Sequence, residues 1–326
     1  RLHEPAFCQM SAMHPVSPPT FESVLPRRQF MARGAAATLG ALMLDAGLLD
    51  MAQAASPAAT SAATTGGLQW HNWSGAQQAH PAALPTPATE AELQALMASA
   101  QGEVRAFGSG HSFTALVPTS GSIVSLDRLS GLISVDRTAM TATIHAGTRL
   151  GVLSRALDAQ GLALRNLPDV DVQTIAGAIS TGTHGTGIAL PALHDDIVGM
   201  RIVTPGGKVV ELHESKDRDM LAAARVSLGS FGVISQVTMR VLPAYNLHRK
   251  VWLRPIEDLL KQAPQLAQQH RNFEMYYLPF TGYGAAISHD IYKGSDLVLP
   301  KPGDDAVMAD LRTLRDWLGR FPQLRQ

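Results

Sequence analysis

The stretch Arg105-Ala106-Phe107-Gly108-Ser109-Gly110-His111-Ser112-Phe113 is the densest chemical signal in the sequence. A β-like run, Val104–Phe107, enters a Gly-Ser-Gly turn with a histidine just beyond it. Glycines let such a turn aim successive backbone N–H groups at one point, which suits a phosphate. A lone Gly-x-Gly is in itself only a tight turn. No Gly-Lys-Ser/Thr follows, so this is not a Walker-type loop. No third glycine opens a helix, so it is not a Rossmann fingerprint. A second Gly/Thr-rich segment, Ile175-Ala176-Gly177-Ala178-Ile179-Ser180-Thr181-Gly182-Thr183-His184-Gly185-Thr186-Gly187, also carries a histidine. Two such loops suggest one large, diphosphate-bearing ligand gripped from two sides.

Around these loops, Pro85 to Glu90 opens a helix over Glu90–Ser99, with a polar cap and an early carboxylate. Short β-like runs follow at Ser122–Leu126, Leu132–Asp136 and Thr141–His145, then a helix from Arg149 to Gln160 closed by Gly161. Val198–Thr204 and Lys208–Leu212 flank Pro205-Gly206-Gly207 and predict a hairpin. Gly232–Leu242 alternates, with Val233, Ser235, Val237, Met239 and Val241 on one face, and Pro243 stops it. Strands and helices mix without a regular βαβ period, so the expected class is α+β.

Six motifs occur in order: Gly108–Ser112, Ala146-Gly147, Gly161–Leu164, Asn166-Leu167, Ala176–Ala178 through Thr181–Gly187, and Leu228–Ile234. The set resembles the FAD-binding domain of the vanillyl-alcohol-oxidase (PCMH-type) superfamily, in particular its sugar-lactone and alditol oxidase branch (gulonolactone, galactonolactone, arabinonolactone and xylitol oxidases). The resemblance spans Pro81 to Pro243 and continues weakly through Asn272–Pro279. It implies a two-subdomain FAD-binding domain over 81–243, followed by a partial α+β substrate domain over 244–326.

The same resemblance implies site residues. Ala106, Phe107, Gly108, Ser109, Gly110, His111 and Ser112 would wrap the FAD pyrophosphate, and His111 matches the histidine that bonds covalently to the flavin 8α-methyl carbon. That bond needs a neutral imidazole nitrogen as nucleophile. Asp169, which stands where serine is frequent, and Thr174 would contact the isoalloxazine and phosphates. Gly177, Ala178, Ile179, Ser180, Thr181 and His184 match a second phosphate and flavin loop, and Val233 and Ile234 the strand beside the adenine. Thr174, Val233 and Ile234 read equally well as core packing. The implied reaction is oxidation of a sugar-derived alcohol or aldono-1,4-lactone (a polyol or sugar-lactone substrate) by hydride transfer to flavin N5, with oxygen or another electron acceptor taking the electrons. No substrate base can be named. A related FAD oxidase with a different alcohol substrate, an inactive flavin-binding fragment and a carbohydrate-binding module without flavin are the alternatives.

The 326 residues leave room for two domains. Twenty-seven basic residues balance 27 acidic ones, and aromatics make up 6%, so nothing marks a nucleic-acid partner. A single cysteine, Cys8, excludes a disulfide framework and a multi-cysteine metal site. His194-Asp195-Asp196 with His184 lacks paired ligand spacing, so no metal is expected. His145, His213, His248 and His270 read as surface or hydrogen-bonded histidines, and Asp217-Arg218-Asp219 as a helix start. No apolar run reaches the ~18 residues of a membrane span. Arg27-Arg28, the small-residue apolar stretch Gly34–Leu49 and Ala52-Gln53-Ala54 together predict a twin-arginine export signal over 1–54, and hence a periplasmic or exported protein with no stable membrane insertion after cleavage. An alanine-rich amphipathic helix is the other reading of that stretch. Residues 55–80 read as linker and lead-in. The stretch after Ala244, ending on a helical pattern over Asp304–Arg320, reads as a shortened substrate domain, from which slow turnover is expected.

Overall fold

The computed structural model describes residues 67–278, 282–294 and 296. The export segment, Cys8, most of the linker and the helical pattern over 304–320 lie outside the described residues.

A short hairpin, β1 (Trp70–His71) with β2 (Gln78–Ala79), opens the fold, so the lead-in is itself folded. Helix α1 (Glu90–Ser99) has the predicted bounds. Thr89 Oγ1 accepts from the Glu92 amide at 3.1 Å and Glu92 Oε2 accepts from the Ala88 amide at 2.8 Å, which satisfies two donors at its start. Strands β3 (Val104–Phe107) and β4 (Ser122–Ser125) pair in parallel. There follow β5 (Leu132–Asp136), β6 (Thr141–His145), α2 (Leu150–Asp158), β7 (Leu162–Ala163) and α3 (Ile175–Ser180). Next are β8 (Ile197–Val203), β9 (Val209–His213), α4 (Arg218–Arg225), β10 (Val233–Arg240) and β11 (Leu242–Pro243). The described chain closes with β12 (Asn246–Pro255), α5 (Ile256–Gln269), β13 (Asn272–Leu278) and β14 (Tyr283–Tyr292).

The central sheet has the order β5-β6-β10-β8-β9, every neighbour antiparallel. The β8–β9 hairpin turns through Gly206 and Gly207, both at positive φ, and the Thr204 amide donates to the Lys208 carbonyl at 2.8 Å. On β10 the alternation holds for Val237 and Met239, but a bulge between Ile234 and Gln236 leaves Ile234 buried beside Ser235. The run predicted as one strand to Leu242 breaks at Val241. Leu242–Pro243 instead pairs with Leu162–Ala163, where the missing proline N–H does no damage.

Apolar side chains of the sheet (Ile144, Ile202, Val237) and of α2 and α3 (Leu150, Leu153, Leu157, Ile175, Ile179) share one core. Each such fully buried side chain stabilises the fold by about 1.5–3 kcal/mol. The three-stranded sheet β12-β14-β13 forms a second layer, on which α5 packs through the buried Leu259. This mixed arrangement is α+β, as expected.

Candidate active site and cofactor cavity

A cavity of about 740 Å³ lies between the β3–β4 layer and the central sheet. Its wall includes Ala106, Phe107, Gly108, Ser109, Gly110, His111, Ser112, Thr174, Gly177, Ser180, Thr181, Val233 and Ile234. Helix α1 adds Met97, and loops far apart in sequence add Pro205, Gly206 and Leu228–Ser230. Four of the residues singled out from sequence do not line it. Ala178 and Ile179 are buried in the core on the inner face of α3. His184 is exposed, its Nδ1 2.8 Å from the Gly185 carbonyl, and Asp169 faces the second sheet.

The loop that ends β3 is held from behind. Ser109 Oγ donates to the Val172 carbonyl. A β-carbon on Gly108 would overlap Thr174 Oγ1, the atom that caps α3 by accepting from the Gly177 amide at 3.3 Å. The two glycine-bearing loops are thus locked together through Thr174. Gly110 sits at φ +66°, a conformation that favours glycine. The half-buried His111 ring stacks on Trp73, centroids 5.0 Å apart and planes 16° from parallel. Burial, and then the nearby Arg149 charge, push its pKa below the usual histidine value, which favours the neutral imidazole.

The Thr183–Gly187 end of the second loop has another task. Asn272, at the start of β13, donates to the Thr186 carbonyl at 2.7 Å and to Asn166 Oδ1 at 3.2 Å. Arg271 Nη2 donates to the Tyr245 hydroxyl at 2.9 Å. A β-carbon on Gly187 would overlap the Arg271 carbonyl. Glycine here admits the backbone of the second sheet.

At the same junction the Tyr276 hydroxyl lies 3.1 Å from Asp169 Oδ2 and 3.3 Å from Glu274 Oε2. Burial, and then the Asp169 charge, push the Glu274 carboxyl up to about 7, and burial with Glu274 raises the Tyr276 hydroxyl above its usual range. His289 is pushed down by burial and by Arg249. Sequence reading did not assign roles to Glu274 and Tyr276. Their alternation along an extended run was the available signal, but the partner Asp169 stands in a distant loop. His270 and His213 have partners, Asp290 Oδ2 at 2.7 Å and Ser215 Oγ at 2.8 Å. His145 departs from the expectation, because its Nδ1 is buried without a partner. Among the described residues no group of three or more His, Cys, Asp or Glu could hold a metal, and no helix is long and apolar enough to cross a membrane.

FAD fits these residues. The cavity volume falls in the ~300–1,000 Å³ range of cofactor sites. The wall carries the side-chain-free Gly108 and Gly110 beside the Ser112, Ser180 and Thr181 residues, whose hydroxyls suit a phosphate-bearing cofactor.

Fold and cavity suit a nucleotide-bearing cofactor held between the β3–β4 layer and the central sheet. Residues 81–213 match the family described as "FAD binding domain". The chain is similar to FAD-linked relatives named for sugar lactones, and solved FAD-linked oxidases share its fold. It is 38% identical over 237 residues to L-gulono-1,4-lactone dehydrogenase of Mycobacterium tuberculosis, covering 72% of this chain and 54% of that protein. It is 31% identical over 220 residues to L-gulonolactone oxidase of Scyliorhinus torazame, covering 67% and 50%. Among solved structures, cholesterol oxidase from B. sterolicum shares the fold with a TM-score of 0.64 at 19% identity, over 72% of this chain and 50% of that one. The chain spans about half the length of these curated relatives.

Proposed function

We propose that this chain is the cofactor-binding part of an FAD-dependent oxidoreductase that oxidises a sugar-derived alcohol or an aldono-1,4-lactone and passes the electrons to oxygen or another acceptor. The observation that carries this reading is the Gly108–Ser112 loop lining a cavity of about 740 Å³ with a half-buried histidine, stacked on Trp73, in its wall. The relatives named for gulonolactone support the substrate class. Bound there, FAD supplies a two-electron acceptor for a hydride from the substrate carbon. The backbone of Gly108–Gly110 and the hydroxyls of Ser112 and Thr181 would hold the phosphates, and Val233 and Ile234 the adenine side.

His111 attaches the cofactor covalently in this reading. Its imidazole would supply the nucleophilic nitrogen and give up its ring proton, and the linkage, a two-electron oxidation, would need an acceptor such as oxygen. After acid precipitation the yellow colour should stay in the wild-type pellet, and His111→Ala should move it to the supernatant without abolishing FAD binding. A colourless wild-type pellet refutes the linkage, and a protein purified without any flavin absorbance that fails to bind added FAD refutes the whole reading.

Export through the twin-arginine route is proposed on Arg27-Arg28 and the apolar stretch behind them. Replacing both arginines with lysine should strand the protein in the cytoplasm. Undiminished export of that variant would exclude the route.

A further inference from the structure

The segment in front of the FAD-binding domain match is hydrogen-bonded to the cofactor loop. The Trp73 amide donates to the Gly110 carbonyl at 2.9 Å, and Asn72 Nδ2 donates to the Ser112 carbonyl at 3.0 Å. Gln77 Nε2 donates to the Phe113 carbonyl at 3.1 Å. Asn72 is itself buried and fixed, since its Oδ1 accepts from the Gln77 amide at 3.0 Å. Three contacts, to the Gly110, Ser112 and Phe113 carbonyls, therefore grip the loop on both sides of His111. The Trp73 indole lies flat on the His111 ring at 5.0 Å and meets Phe113 edge-on at 6.0 Å.

We propose that Trp73, held by this clamp, is a positioning residue that fixes the His111 ring plane and so presents one imidazole nitrogen to the flavin. A histidine on a glycine turn would otherwise sample several rotamers, and a nucleophile must be held near its target to react quickly. The stack covers one ring face and leaves the nitrogens at the ring edge available. It also contributes to the burial that favours the neutral imidazole, with Arg149 the charged group acting on it. The segment lies before residue 81, outside the matched domain, and no role is assigned to it there.

The proposal rests on the covalent reading, so its test has two independent arms. Trp73 is only half-buried, so Trp73→Phe and Trp73→Leu are both expected to fold; Phe keeps a flat ring and Leu keeps apolar cover without one. In the first arm, apoprotein of each variant is mixed with FAD and covalent incorporation is followed by flavin fluorescence in denaturing gels. Trp73→Leu should incorporate about 3- to 10-fold more slowly, the usual weight of one aromatic pair, and Trp73→Phe within about twofold of wild type. Equal rates in all three proteins, or equal losses in Phe and Leu, would overturn the positioning role. In the second arm, acylation of His111 by diethyl pyrocarbonate is timed by peptide mass in the absence of FAD. The ring should react several-fold faster in Trp73→Leu than in wild type and Trp73→Phe. Should wild type incorporate no FAD covalently, the linkage fails and this second arm alone decides: unchanged acylation overturns the stack as a constraint on His111.

Discussion

A β-carbon on Gly108 would occupy the position of Thr174 Oγ1, and this one contact joins the two loops on which the cofactor reading depends. Gly108→Ala must push Thr174 away and with it the cap on α3. Overpacking of this kind costs about 1–3 kcal/mol, and losing a threonine cap costs about 1 kcal/mol. The variant should unfold at lower temperature and bind FAD more weakly, as read by thermal unfolding and fluorescence titration; wild-type values in both would show that the approach is dispensable. Gly108, Gly110 and His111 were legible in the sequence because they are neighbours in one loop. Trp73 was not, because its contact with His111 is made only once the β1–β2 hairpin closes over the loop. His184 stands away from the cavity for a related reason. A glycine-rich loop admits close backbone approach by any partner, and at Gly187 that partner is Arg271 of the second sheet.

Two carboxylates on different elements give opposite pH signatures. Glu90, at the start of α1, accepts from Arg201 of β8 through both oxygens, at 2.7 and 3.1 Å, and from Ser235 of β10 at 2.6 Å. The hydrogen bond from Arg201 is the main cause that holds its pKa below 4.5. An acid with a depressed folded-state pKa stabilises above its unfolded value, and that stabilisation is lost as pH falls through the folded value. Glu274 behaves in reverse. Its folded-state pKa of about 7 lies above 4.5, so its share of stability is complete below pH 4.5 and is lost as pH rises towards 7. Chemical unfolding at a series of pH values should therefore show Glu90→Gln weakening the fold most above pH 5, while Glu274→Gln flattens the decline between about pH 4.5 and 7. A Glu274→Gln curve parallel to wild type through that window would contradict the assignment. At this scale the sequence was informative wherever a cap or an alternation stood alone, as in α1, β5 and β6. Helix α3 was read as a loop because six residues containing glycine show no helical period, although Thr174 was an available cap. Strand β12 and helix α5 were not read at all: β12 is mostly exposed without clean alternation, and α5 carries Pro264 inside it.

For the molecule as a whole, the cavity is roofed by one layer and floored by another, so a ligand that touches both must stabilise their union. The β3–β4 layer contributes the Ala106–Ser112 wall, and the central sheet with its loops contributes Pro205, Gly206 and Leu228–Ile234. A ligand that binds only the folded state adds about 2.7 kcal/mol at a hundredfold excess over its Kd. For a chain of 326 residues, at about 2.1 cal/mol/K per residue, that corresponds to a rise in unfolding temperature of about 4 °C. The His111→Ala variant is the right material, because any stabilisation there is reversible binding. FAD should raise its unfolding temperature in proportion to the logarithm of concentration. FMN carries the same ring system and one phosphate but no adenylate, so it leaves the wall of the central sheet uncovered and should give a clearly smaller rise at equal concentration. Equal shifts from the two flavins would mean that the Leu228–Ile234 wall takes no part in binding, and the cavity would then be an FMN site bounded by the β3 loop and α3.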